Sequence, residues 1–142
     1  MVDESGPAIS DLLEGAGFNV ERYEVVADDR QAIIEVLMAV VGDGIDLVVT
    51  TGGTGLGPRD LTPQATAALV DYEVPGLAEL MRSAGSSKTP MAALSRAIAG
   101  VRGRTLILNL PGSTKGATES LTAVLPVLPH ALPLLRGDTD HR

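Results

Sequence analysis

The chain contains no cysteine and no tryptophan, and its aromatic residues are Phe18, Tyr23 and Tyr72 among 142 residues. Without thiols there are no disulfides or thiolate metal sites, and a reducing cytoplasm is the expected setting. So few rings do not make a base-stacking platform or an aromatic cage. Positive charge is also scarce: 11 Lys+Arg oppose 18 Asp+Glu, for a net charge of −7. A nucleic-acid or anionic-membrane partner calls for a basic face, so neither is expected. No apolar run approaches the roughly 18 residues of a transmembrane helix. The opening Met1-Val2-Asp3-Glu4 shows neither the basic nor the apolar stretch of a secretory signal.

What is present is enough apolar material for a core: 44% hydrophobic against 20% charged residues. Pro7 to Gly17 reads as a helix, with Ile9, Leu12, Leu13 and Ala16 on one face, Ser5 as a cap and glycines at its end. Val20 to Val26 reads as a strand. A helix follows from Asp28-Asp29, with Ile33, Leu37, Val40 and Val41 as its buried stripe. Ile45 to Thr50 is a β-branched apolar run, as in a strand covered on both faces. Another helix is expected from Pro63 and another from Gly76, followed by a polar connection over Ser83 to Pro90. Thr105 to Leu110 is the second buried strand. From Thr114 the pattern is helical again, segmented by Pro126, Pro129 and Pro133.

Strands alternating with helices predict a three-layer α/β/α domain with a mostly parallel sheet over residues 1–136, followed by a polar tail over 137–142. Sites in such folds gather outside the carboxyl ends of the strands. Two turns fall there, one after Thr50 and one after Leu110.

The first of them, Thr51-Gly52-Gly53-Thr54-Gly55-Leu56-Gly57-Pro58-Arg59-Asp60, carries four glycines in six positions. Glycines permit positive φ and let backbone N–H groups approach a ligand, so the loop reads as a phosphate cradle or, blandly, as a flexible turn. It is not a Walker A loop, because Gly57 is followed by Pro58-Arg59 rather than by Lys-Ser/Thr, and Pro58 also breaks the dinucleotide fingerprint. Arg59 and Asp60 behind the glycines offer a cation for phosphate oxygens and an anion for a metal or for orienting that arginine. Asp28 and Asp29 read as helix caps or ligands. Asn109-Leu110-Pro111-Gly112-Ser113-Thr114-Lys115 reads as a capped helix start or a second ligand turn. Ser95-Arg96 is a surface pair or a contact, and His130 and His141 have no partners at metal-ligand spacing.

These strings together resemble the molybdopterin adenylyltransferase family of molybdenum cofactor biosynthesis, which includes bacterial MogA and MoaB proteins and the G domain of gephyrin. The resemblance runs through Thr50 to Gly55, Arg59 to Thr66, Asp71 to Gly76, Thr89-Pro90, Ala93 to Arg96, Ala99 to Gly103, Leu108 to Ser113 and Lys115, with Asp3 and Ser5-Gly6-Pro7 at the entry to the first helix. It implies transfer of AMP from ATP to molybdopterin with Mg²⁺, giving adenylyl-molybdopterin and pyrophosphate. The attacking group is then the substrate's own phosphate, and catalysis rests on positioning and charge neutralisation. A MoaB-like molybdopterin-binding oligomer with little transferase activity is the alternative. The CinA-type relatives fit less well, since their loop typically continues Gly-Pro-Thr where this chain has Pro58-Arg59-Asp60.

Carried onto this chain, the resemblance implies that Gly52, Gly53, Thr54 and Gly55 hold the nucleotide through backbone amides. Asp60 becomes the catalytic acidic residue and Mg²⁺ ligand, and Asp28 the second acidic position. Arg59, Ser5, Ser95, Arg96, Pro111, Gly112, Ser113 and Lys115 become pterin or phosphate contacts. The family assembles as trimers or higher oligomers, so a homotrimer is implied. Family members also carry a strand and a Ser-Asp/Thr-Arg turn ahead of the Asp-x-Ser-Gly-Pro element. This chain opens just after that turn, which reads as a fragment or a misplaced start, and exposure of the neighbouring strand is expected to follow.

Overall fold

A computed structural model describes residues 4–137. Asp3, His141 and the expected tail beyond Gly137 lie outside the described residues. The elements are α1 (Ser5–Gly15), α2 (Arg30–Gly42), β1 (Leu47–Thr51), α3 (Thr62–Leu69), β2 (Tyr72–Glu73), α4 (Pro75–Ser86), a 3₁₀ turn (Pro90–Leu94), β3 (Ala99–Arg102), β4 (Thr105–Leu110), α5 (Thr114–Val124), a second 3₁₀ turn (Leu125–Val127) and α6 (Leu128–Leu135). The four strands lie in the order β1-β4-β3-β2.

The layering is α/β/α, and the reason is visible along β4, all six of whose residues are buried. Leu106, Leu108 and Leu110 alternate toward one face, where they pack with Ile9 of α1, Leu77 and Met81 of α4, Leu121 of α5 and Leu128 of α6. Ile107 points the other way, onto Leu37 of α2 and Leu69 of α3. Each such leucine or isoleucine contributes about 1.5–3 kcal/mol on removal from water, so β4 is the spine on which both helical layers are hung.

The sheet is mixed. β1 pairs with β4 in parallel, Leu47 opposite Leu106 through Thr51 opposite Leu110. β3 runs antiparallel to β4 and β2 antiparallel to β3. The Gly103-Arg104 turn between Arg102 and Thr105 makes β3 and β4 a hairpin. The carboxyl ends of β1 and β4 therefore lie side by side, and the turns after Thr51 and Leu110 meet.

Several local expectations are corrected. Residues 19–27 form no strand. A strand exists only by pairing its backbone with a neighbour, and no described strand lies alongside; Val25 is exposed, and Arg22 is ion-paired with Glu24 and Asp43 at the surface. β1 is not covered on both faces: all five residues are half-buried, and among the described strands it pairs only with β4. Ser5 does not cap α1, which has no side-chain cap; its hydroxyl reaches across the fold instead. The helix of α4 continues through Ser86, further than the polar composition of 83–90 suggests. The prolines of the last segment do divide it, with a 3₁₀ turn separating α5 from α6 and Pro133 inside α6. Among the described residues no helix is long and apolar enough to cross a membrane.

Candidate active site

The glycine-rich loop leaves β1 with Gly52 and Gly53 at φ +88° and +69°, the left-handed region that side-chain-bearing residues avoid. A Cβ on Gly53 would also strike the Thr62 hydroxyl at the start of α3. Gly55 and Gly57 serve a different purpose. Neither has positive φ, but a Cβ on either would sit 2.9 Å from Oδ2 of Asp60. These two glycines make room for a carboxylate. The Gly57 N–H donates to Asp60 Oδ2 at 2.8 Å, and the Asp60 N–H donates back to the Gly57 carbonyl at 3.1 Å. The loop is thus folded around Asp60.

It is also clamped from outside. Arg96 donates from Nε to the Gly55 carbonyl at 2.8 Å and from Nη2 to the Asp60 carbonyl at 2.6 Å, while its own N–H donates to the Thr54 carbonyl at 2.8 Å. Arg82 of α4 donates to the carbonyl of Ala97 at 2.7 Å and braces the segment that carries Arg96. Such charge-assisted bonds exceed neutral ones in strength.

The second turn is tied to the first. Gly52 N–H donates to the Leu110 carbonyl at 2.9 Å, and Gly52 and Gly112 approach closely enough that a Cβ on Gly112 would lie 3.3 Å from Gly52 Cα. The Ser5 hydroxyl donates to the Gly112 carbonyl at 2.7 Å and is buried. Ser113 caps α5 by accepting from Gly116 N–H at 3.1 Å. Beneath both turns, the fully buried Asn109 donates to the Thr50 and Thr66 hydroxyls, each at 3.1 Å, and accepts from Ile98 N–H at 3.2 Å. Asn109 thus links β1, α3 and the start of β3.

A cleft of about 500 Å³ opens between these turns, α4 and the first turns of α5. It brings together Gly53, Thr54, Gly55 and Asp60 with Ser95, Pro111, Gly112, Ser113 and Lys115. Gly52, Ser5, Arg59, Arg96 and Asp28 do not line it. Gly52, Ser5 and Arg96 shape the walls from behind. Arg59 is exposed and forms no ion pair with Asp60 among the described residues. Asp28 is exposed too, and it is Asp29 whose carboxylate caps α2, accepting from Ala32 N–H at 2.9 Å. Arg59 is thus not the ion-pair partner of Asp60 among the described residues, while the Ser5 hydroxyl and the Nε and Nη2 of Arg96 are engaged with the protein's own carbonyls.

Lys88 and Glu119, which the sequence does not mark as candidates, also line the cleft, as does Thr89 of the Thr89-Pro90 string. For Glu119 a signal existed: it stands four residues after Lys115 on α5, so both face the same way. Among the described residues no three His, Asp or Glu side chains gather as a preformed cation site.

The comparisons with known proteins agree with one another. Residues 1–130 match a family model described as a probable molybdopterin binding domain. The chain is 43% identical to a Helicobacter pylori protein named molybdopterin adenylyltransferase, over 96% of this chain and 79% of that protein. It is 40% identical to a molybdenum cofactor biosynthesis bifunctional protein of Chlorobaculum tepidum, of which it spans 44%. Its fold superimposes, with TM-score 0.91 and 61% identity over 97% of this chain and 87% of the other, on the crystal structure of the molybdopterin biosynthesis enzyme MoaB from Thermus thermophilus. With its glycine-rich loop, Asp60 and the 111–113 turn around one cleft, the chain belongs to the molybdopterin-binding domain family of molybdenum cofactor biosynthesis.

Proposed function

We propose that this chain transfers AMP from ATP to molybdopterin in the cytoplasm. The observation that carries this reading is the convergence of Gly53 to Gly55, Asp60, Ser113 and Lys115 on one cleft at the carboxyl ends of β1 and β4. The identity with the Helicobacter pylori protein supports it. An oxygen of molybdopterin's terminal phosphate attacks the α-phosphorus of ATP. The new P–O bond forms as the bond from that phosphorus to the bridging oxygen breaks, and pyrophosphate leaves with the electron pair. No protein nucleophile is required, and the cleft has no cysteine to offer.

In this reading the loop amides and Lys115 hold phosphate oxygens near the N-terminus of α5, where backbone N–H groups and the helix dipole favour anions. Asp60 fits a Mg²⁺ ion that arrives on the nucleotide. Such an ion keeps several waters and takes one or two carboxylates, and Asp60 uses Oδ2 on Gly57 N–H while Oδ1 is left for a ligand. Mg²⁺, when bound, neutralises phosphate charge. Purified protein given ATP, Mg²⁺ and molybdopterin should release one pyrophosphate per adenylylated pterin.

A second reading is a MoaB-like molybdopterin-binding oligomer with little transferase activity; the 61% identity to the Thermus protein supports its kinship with MoaB. Pterin binding without pyrophosphate release would select it. A homotrimer or higher assembly is part of both readings. The exposed faces of Val127 and Leu134 near the C-terminal helix suit it, and light scattering after size exclusion measures it.

A further inference from the structure

Glu119 stands in the cleft wall formed by α5, and its Oε2 is sealed from solvent without any hydrogen-bond partner. Among the described residues it forms no ion pair, although Lys115 lies one turn away on the same helix. A buried carboxylate oxygen left unpaired is costly, so a cleft that retains one is built for a ligand that brings donors. Asn109, buried in the same region, has all its groups satisfied internally, and among the described residues Glu119 Oε2 is the one buried side-chain oxygen or nitrogen without a partner.

The structure assigns Glu119 as the residue that reads the 2-amino-4-oxopyrimidine edge of the pterin, an inference that rests on the proposed function. Three ligand chemistries compete for that position, and only one matches a carboxylate. Phosphate oxygens are repelled by it. Adenine presents its 6-amino group beside the N1 lone pair, so one carboxylate oxygen would gain a donor while the other faced an acceptor. The pterin ring presents the N3–H and the 2-amino N–H side by side, two donors for the two oxygens of a Glu119 carboxylate that turns into the cleft to meet them. The cleft is therefore polarised. Asp60, Gly53 to Gly55 and Lys115 form its phosphate end, and Glu119, with the apolar wall of Ala78 and Met81 opposite on α4, forms its heterocycle end. Glu119 selects which substrate ring enters there and takes no part in the bond exchange.

The test uses the intrinsic fluorescence of two probes, a 6-(phosphomethyl)pterin and its lumazine counterpart, in which oxygen replaces the 2-amino group. Wild-type protein should bind the pterin about tenfold or more tighter than the lumazine, as expected for losing a hydrogen bond to a charged group. Glu119→Gln should bind the pterin about tenfold more weakly than wild type and discriminate between the probes by less than about threefold, with ATP affinity unchanged. Glu119→Asp, which keeps both acceptors, should retain the preference for the pterin. Equal binding of the two probes by wild-type protein overturns the assignment without any variant, so a folding defect in Glu119→Gln cannot mask it. Full discrimination by Glu119→Gln also overturns it. Pyrophosphate release by the wild type separates the two failures: release with no 2-amino preference sinks the role of Glu119 alone, and no release and no pterin binding sinks the proposed function with it.

Discussion

The guanidinium of Arg96 and the backbone carbonyl of Asp60 are 2.6 Å apart, and the same guanidinium holds the Gly55 carbonyl at 2.8 Å. Arg96 thereby fixes the two ends of the loop that encloses the Asp60 carboxylate. In three dimensions Arg96 is a clamp on that loop.

Arg96→Ala should cost about 2–4 kcal/mol of stability, since it removes two charge-assisted bonds from a part-buried site, and should lower turnover through a loosened loop. Arg96→Lys should recover only part of both, because an ammonium cannot span the two carbonyls with the same fork. Urea unfolding and pyrophosphate release measure the pair. Full activity in Arg96→Ala would show that the loop holds its shape without the clamp.

Asp60→Asn keeps an acceptor for the Gly57 N–H and so preserves the loop. Turnover is expected to fall by about two orders of magnitude or more, the scale of losing an electrostatic group at a phosphoryl-transfer centre, while ATP and pterin still bind. Calorimetric titration alongside the rate assay distinguishes loss of chemistry from loss of binding, and unchanged turnover removes Asp60 from the mechanism.

Gly53→Val should weaken ATP binding and destabilise the fold by about 1–3 kcal/mol, because a β-branched residue resists φ +69° and its Cβ meets the Thr62 side chain. Gly55→Ala should leave the backbone unstrained and yet displace the Asp60 carboxylate, which a Cβ there would crowd at 2.9 Å. Its signature is a fall in kcat larger than its effect on thermal stability.

Asn109→Leu should be among the most destabilising single changes, at about 3 kcal/mol or more. It strands the buried Thr66 hydroxyl and the part-buried Ile98 N–H and Thr50 hydroxyl beneath the cleft, and a buried orphan costs about 1–3 kcal/mol. Denaturant unfolding checks it.

Asp28 and Asp29 separate by their measurable effects. Asp29→Ala removes the cap of α2 and should cost about 0.5–2 kcal/mol. Asp28→Ala touches no bond of the fold and should change stability by less than about 0.5 kcal/mol. If Asp28 is the second acidic position of the reaction, its alanine variant loses turnover at full stability.

Much of this was legible along the chain. Thr105 to Leu110 reads as a buried strand from its composition and is one, and the α2 stripe, the Pro63 helix start and the proline-divided C-terminal helices follow from equally local rules. The two site turns fall at the ends of strands that sequence pattern alone marks. Val20 to Val26 misled because β-propensity reports compatibility with a sheet, and the pairing partner that makes a strand lies elsewhere in the chain. β3 and β2 escaped notice for the converse reason: Ala99–Arg102 is short and carries a glycine, yet antiparallel pairing to β4 makes it a strand.

Periodicity, capping and turn chemistry operate over a few residues, so the amino-acid order alone determined the helices, the spine strand β4 and the glycine-rich loop between a strand and a helix. The role of each polar side chain was decided by contacts that span the fold: Arg96 to Asp60 across 36 positions, Ser5 to Gly112 across 107. A hydrogen-bonding group satisfies the nearest complementary group in space, whatever its distance along the chain. That is why the tertiary structure alone showed which donors and acceptors are paired within the protein and that Glu119 Oε2 is buried without a partner.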